Sequence, residues 1–88
     1  MTTFELTLSF PPDARFAPAI RDLAIHAAQY VGCARAKAEA FGRAAEDLLR
    51  TCLEASPQED EVPVVMRRMA GPLELRIDDR IITLDIGS

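Results

Sequence analysis

The chain has 88 residues, of which 49% are hydrophobic and 27% charged, with a formal net charge of −4 and a pI near 4.8. That length allows one core and a thin stability margin, since short chains bury a smaller share of their surface than long ones. The apolar content argues against disorder, and the acidic balance argues against nucleic acid as a partner, because such a surface repels phosphate backbones. Arg67 and Arg68 form the only adjacent basic pair.

In chain order, Phe4, Leu6, Leu8 and Phe10 alternate with Glu5, Thr7 and Ser9, the two-residue period of a strand with one buried face. Pro11-Pro12 ends it. Asp13 is placed to cap a helix, in which Pro18 is tolerated because a first-turn N–H has no intrahelical partner to lose. Phe16, Ile20, Leu23, Ala24, Ala27, Ala28 and Val31 recur at three- and four-residue steps as one apolar stripe, and Gly32 is the expected stop. Arg21, Asp22, His26 and Gln29 interrupt the longest apolar stretch, so no membrane span is expected. Met1-Thr2-Thr3 leads into the first strand without the pattern of a secretory signal. The expected location is cytoplasmic, and Cys33 and Cys52 are expected to be reduced, partly buried thiols.

A second helix is expected from Ala34 to Ala55. Ala34, Ala38, Phe41, Ala45, Leu48 and Cys52 follow a four-three-four-three-four spacing, widened by Ala44, Leu49 and Leu53, and the opposite face carries Arg35, Glu39, Arg43, Glu46, Asp47, Arg50 and Glu54. Opposite charges four apart add a few tenths of a kcal/mol each, about 0.2–0.5. Ser56 to Glu61, with one proline and three consecutive acids, reads as a solvated loop. Three strands then follow. Val64, Met66 and Arg68 alternate with Val65, Arg67 and Met69; Gly71-Pro72 turns the chain; Leu73, Leu75 and Ile77 alternate with Glu74, Arg76 and Asp78. After a turn expected at Asp79-Arg80, Ile82, Leu84 and Ile86 alternate with Ile81, Thr83 and Asp85, so the last two strands form a hairpin. The order β-α-α-β-β-β predicts an α+β domain, with two helices on one face of a largely antiparallel sheet.

The chemistry-bearing residues are sparse. His26 is the only histidine, so zinc would need scattered cysteines and carboxylates at no recognised spacing. Neither cysteine has a neighbouring base and orienting group in sequence, so no nucleophilic triad is expected. Gly32, Gly42, Gly71 and Gly87 are dispersed and form no phosphate-cradling loop. Gly42 lies inside the second helix, where glycine costs about 1 kcal/mol relative to alanine; either a close helix crossing or an approaching ligand accounts for it. Asp78 and Asp79 suit turn chemistry better than a paired acid and base.

Two segments carry a family resemblance: Phe4-Glu-Leu-Thr-Leu-Ser-Phe-Pro-Pro-Asp-Ala-Arg-Phe, and Ala40-Phe41-Gly42-Arg43-Ala44-Ala45-Glu46-Asp47. With the helix between them, they resemble the opening half of the GHKL ATPase superfamily, and within it the small anti-sigma-factor serine kinases. That family's second helix carries a Gly-Glu-Ala-x-x-Asn box, whose glutamate activates water or a substrate hydroxyl and whose asparagine holds the magnesium bridging the ATP phosphates. The resemblance puts Arg43 at the glutamate and Asp47 at the asparagine. Arginine accepts no proton at working pH, so a base at 43 is excluded, whereas Asp47 retains an oxygen for a hard cation. Arg43 and Asp47, four apart, are also placed to pair with each other.

Asp85-Ile86-Gly87 matches the first half of the family's Asp-x-Gly-x-Gly box, where the aspartate receives the adenine amino group, and Ser88 follows. The phosphate lid and the second glycine-rich box have no counterpart in this sequence. The resemblance therefore implies a non-catalytic protein-interaction module of anti-sigma or partner-switching type, without catalytic residues or a metal site, whose partner is another protein or a second copy of the chain. The alternative is a residual ATP- or nucleotide-binding domain, or half of a composite site, using Asp47, Asp85 and Gly87 with ATP and magnesium.

Overall fold

A computed structural model describes residues 3–55, 61–69 and 71–85. It has the expected α+β architecture: strand β1 (Phe4–Phe10), a single 3-10 turn (Ala14–Phe16), helices α1 (Ala17–Tyr30) and α2 (Arg35–Ala55), and strands β2 (Val62–Arg68), β3 (Leu73–Ile77) and β4 (Arg80–Leu84). The strands form one antiparallel sheet in the order β1-β2-β3-β4. The first strand thus joins the sheet of the last hairpin. Glu61 is described, whereas Ser56 to Asp60 of the expected loop, and Ile86 and Gly87, lie outside the described residues.

Register follows from side-chain alternation. Leu6 lies opposite Met66, Met66 opposite Leu75 and Leu75 opposite Ile82, so one apolar row crosses all four strands on the helix-covered face. A one-residue slip would turn that row to solvent. Val62, Val64, Met66, Leu73, Leu75 and Ile77 are wholly buried, together with Ile20 of α1 and Leu49 of α2. Phe4, Leu6 and Leu8 of β1 reach only partial burial against this core.

Asp13 starts the helical hairpin, but through a 3-10 turn. Its carboxylate accepts from the backbone N–H of Arg15 at 2.9 Å and from the Arg15 guanidinium at 2.7 and 2.9 Å. The side-chain hydrogen bond from Arg15 holds the Asp13 carboxyl below its usual range. Because that turn precedes α1, Phe16 lies ahead of the apolar stripe and is exposed, a correction to its expected core place. Gly32, at φ +96°, ends α1: its N–H donates to the Gln29 carbonyl and the Cys33 N–H to the Ala28 carbonyl, the doubly bonded stop that a left-handed residue permits.

Helices α1 and α2 then pack antiparallel, and Gly42 is where they meet. A β-carbon added there would lie 2.6 Å from Ile25 Cγ1 and 2.9 Å from the Arg21 carbonyl oxygen. Of the two readings the sequence left open, the structure supplies the helix crossing. This contact also turns α2. Ala38, Phe41, Ala45, Leu49 and Cys52 are buried and Leu48 partly so, while Ala34 and Ala44, expected in the stripe, are exposed. Burying α2 against α1 as well as the sheet rotates its core arc toward Gly42 and Leu49.

The β3–β4 turn is one residue earlier than expected. Asp78 and Asp79 form it, and Arg80 already pairs with Ile77. Asp78 adopts φ +58°, which aspartate tolerates better than bulky residues do.

Candidate functional site

The residues singled out in the sequence come to lie apart. Arg43 sits on the outer side of the helical hairpin, in a shallow groove with Arg21, Asp22, Ile25 and Glu39. Asp47 is exposed on α2. The two do not form the ion pair that their spacing allows; the charged links on this face are Arg35–Glu39 at 3.2 Å, Arg50–Glu46 at 2.9 Å and Arg21–Glu46 at 3.5 Å. Glu46, the half-buried carboxylate that ties α1 to α2, carried no distinguishing signal in the sequence beyond its place among the charged residues.

Asp85 follows β4 at the other end of α2, where its backbone carbonyl accepts from Lys37 Nζ at 3.1 Å. Asp47 stands ten residues beyond Lys37, about 15 Å along the helix at 1.5 Å per residue. The structure does not bring Asp47 and Asp85 to one point, and Gly87 lies outside the described residues. Among the described residues no three His, Cys, Asp or Glu side chains gather as a metal site requires. Cys33 and Cys52 are buried free thiols, and burial pushes the Cys52 thiol upward from its ordinary value. His26 is exposed on α1.

A different place on the molecule gathers exposed apolar surface. Along the outer edge of β1, Phe4 and Leu6 face Leu23, His26, Ala27 and Tyr30 of α1 across an open groove of about 290 Å³. Tyr30, 65% exposed, leans on Phe4 with ring centroids 5.6 Å apart and planes tilted by 48°, a geometry that suits the quadrupoles of two aromatic rings. The groove follows from the local sequence. Leu23, His26 or Ala27, and Tyr30 repeat at the helical step on the flank of α1 away from α2, while Phe4 and Leu6 are the inward-facing residues of a strand that, among the described residues, has a neighbour on one side only. No protein-family model, curated protein or solved structure matches this chain.

The backbone reinforces what the side chains present. Among the described residues strand β1 pairs with β2 alone, so its outer row of N–H and C=O groups has no strand partner there. Exposed edges of this kind are usually blunted by lysine, proline or a bulge. Strand β1 has none of the first two, and Glu5 is its only charge. An apolar groove beside an open strand edge can bind an extended segment by main-chain hydrogen bonds while taking up apolar side chains. Among the described residues no helix is long and apolar enough to cross a membrane.

Proposed function

We propose that the chain is a non-catalytic protein-interaction module, of the anti-sigma or partner-switching kind, which docks a protein through the β1 edge and the adjoining face of α1. The observation that carries this reading is the apolar groove between Phe4, Leu6, Leu23 and Tyr30 lying directly beside an unpaired strand edge. The kind of regulator is supported by the resemblance of the Phe4–Phe16 and Ala40–Asp47 segments to anti-sigma kinases, with Arg43 standing where that family has its base. The reading also places the protein in the cytoplasm, where sigma-type regulators act. Large aromatic residues that are half exposed are frequent anchors of such contacts.

Photo-cross-linking tests this directly. A photoreactive phenylalanine analogue replacing Tyr30 should give adducts in the host cell, and the same analogue replacing Thr83 on the far strand should not. Adducts with a sigma factor or its antagonist bear out the regulator class. Equal labelling from both positions, or none from Tyr30, refutes the site.

A further inference from the structure

We infer that the segment taken up at the β1 edge is an extended stretch of a partner protein with a lysine or arginine between two apolar residues, and that Glu5 selects the basic one. This rests on the interaction reading above and names the chemistry of its partner.

The first argument is the charge pattern across the sheet. On the face away from the helices one row of neighbours runs Thr83, Glu74, Arg67, Glu5, so the signs alternate and the row ends on a carboxylate at the edge. Arg67 reaches Glu74, at 4.0 Å, and among the described residues Glu5 makes no ion pair. Opposite charges directly across two strands attract and like charges repel, so the position beside Glu5 favours a cation and disfavours a carboxylate. A second β1 could not supply that cation, because the strand Phe4–Phe10 contains no basic residue.

The second argument is what surrounds that position. The neighbours of Glu5 along the strand, Phe4 and Leu6, face the groove walled by Leu23, Ala27 and Tyr30. In a segment laid beside β1, the residues before and after the one opposite Glu5 point to the helix side, so both meet apolar surface. No lysine, arginine or carboxylate lines the groove, and a charged side chain turned into it would lose water without gaining an ionic partner. The basic residue is therefore confined to the open face. The requirement, apolar-basic-apolar, is the same in either strand direction, and an antiparallel segment continues the pairing of this sheet.

Fluorescence anisotropy with two labelled peptides, Val-Thr-Val-Lys-Val and Val-Thr-Val-Glu-Val, tests the selection. Wild type should bind the lysine peptide about threefold to tenfold more tightly than the glutamate peptide, and Glu5→Lys should reverse that order. Glu54→Lys changes the net charge equally at an exposed site on α2 and should leave the order as it is, which separates the pairing from the attraction of an acidic chain for any cation. Tyr30→Glu should weaken both peptides alike, with circular dichroism confirming that each variant is folded. Equal affinity of wild type for the two peptides overturns the inference, as does an order that Glu54→Lys reverses as fully as Glu5→Lys. Failure of both peptides to bind at millimolar concentration, or sedimentation showing a dimer that holds the edge against both, overturns it too. If the peptides bind without preference while the Tyr30 cross-linker captures a sigma factor or antagonist, selection by Glu5 falls and the interaction reading stands.

Discussion

Replacing Gly42 by alanine sets two effects of opposite sign against each other. In an exposed helix the change would stabilise by about 1 kcal/mol, the helix-propensity difference. Here the new methyl would sit 2.6 Å from Ile25 Cγ1, 2.9 Å from the Arg21 carbonyl oxygen and 3.0 Å from Arg21 Cγ. Ile25 is half-buried and its side chain can rotate away; the carbonyl moves only if α1 moves. Overpacking typically costs about 1–3 kcal/mol, and a clash with backbone belongs at the upper end, so the net expectation is a loss of about 2 kcal/mol. For a domain of this size that lowers the melting temperature by roughly 10 °C. Urea denaturation of wild type, Gly42→Ala and the exposed control Ala44→Gly measures it, the control losing about 1 kcal/mol from propensity alone. Adding Ile25→Ala to Gly42→Ala should show favourable coupling, because it removes the shortest contact while leaving the carbonyl. A Gly42→Ala protein as stable as wild type or more so would refute the close crossing.

Further expectations follow from the turn, the thiol and the nucleotide alternative. At Asp78, φ +58° makes Asp78→Val cost about 1–2 kcal/mol from backbone strain, read from denaturation midpoints, and an Asp78→Val protein as stable as wild type would contradict it. Burial raises the Cys52 thiol above its ordinary value of 9.0, so the folded state holds this proton more tightly than the unfolded chain does. The stabilisation is complete below that value and is lost as pH rises through the folded value; a wild-type protein that loses no more stability than Cys52→Ala between neutral and alkaline pH would contradict it. Alkylation of Cys52 should accordingly be slow in the native protein and fast in denaturant. ATP with magnesium should leave the melting temperature unchanged at millimolar concentration, and a clear rise would shift the weight to nucleotide binding through Asp47, Asp85 and Gly87.

The strands were legible because their alternation is a local property: Leu73, Leu75 and Ile77 must share a face whatever lies above them. The helix stop at Gly32 was equally local. What depended on neighbours was less legible. The spacing of α2 pointed to a seam through Ala34, Ala38, Phe41, Ala45, Leu48 and Cys52 with Ala44 beside it, but a helix that packs on both a sheet and another helix buries the arc between the two contacts. Leu49 therefore becomes central and Ala44 exposed. The turn moved because Arg80 completes the ladder with Ile77. The groove was hidden for a different reason. Phe4 and Tyr30 each look ordinary in their own segments, and nothing in either segment says that β1 ends as an edge beside the flank of α1. An aromatic residue one step outside a helix's apolar stripe, in a chain whose first strand lacks lysine and proline, was the signal available.

Helix α2 separates positions that the fold needs from positions it does not. Gly42 and Glu46 serve the seam with α1, and Phe41, Ala45, Leu49 and Cys52 serve the core. Arg43 and Asp47, where the resemblance would put a base and a metal ligand, serve neither. Both are exposed, and neither takes part in the ion pairs that brace the hairpin. Chemistry at these two positions can therefore change without cost to the architecture. The consequence is measurable: Arg43→Glu and Asp47→Asn should each alter stability by no more than about 0.5 kcal/mol, the range of surface substitutions away from special features. A loss above about 1 kcal/mol at either position, set against the expected loss at Gly42 one residue from Arg43, would show that the outer face of α2 is not idle and that this division of the helix is drawn in the wrong place.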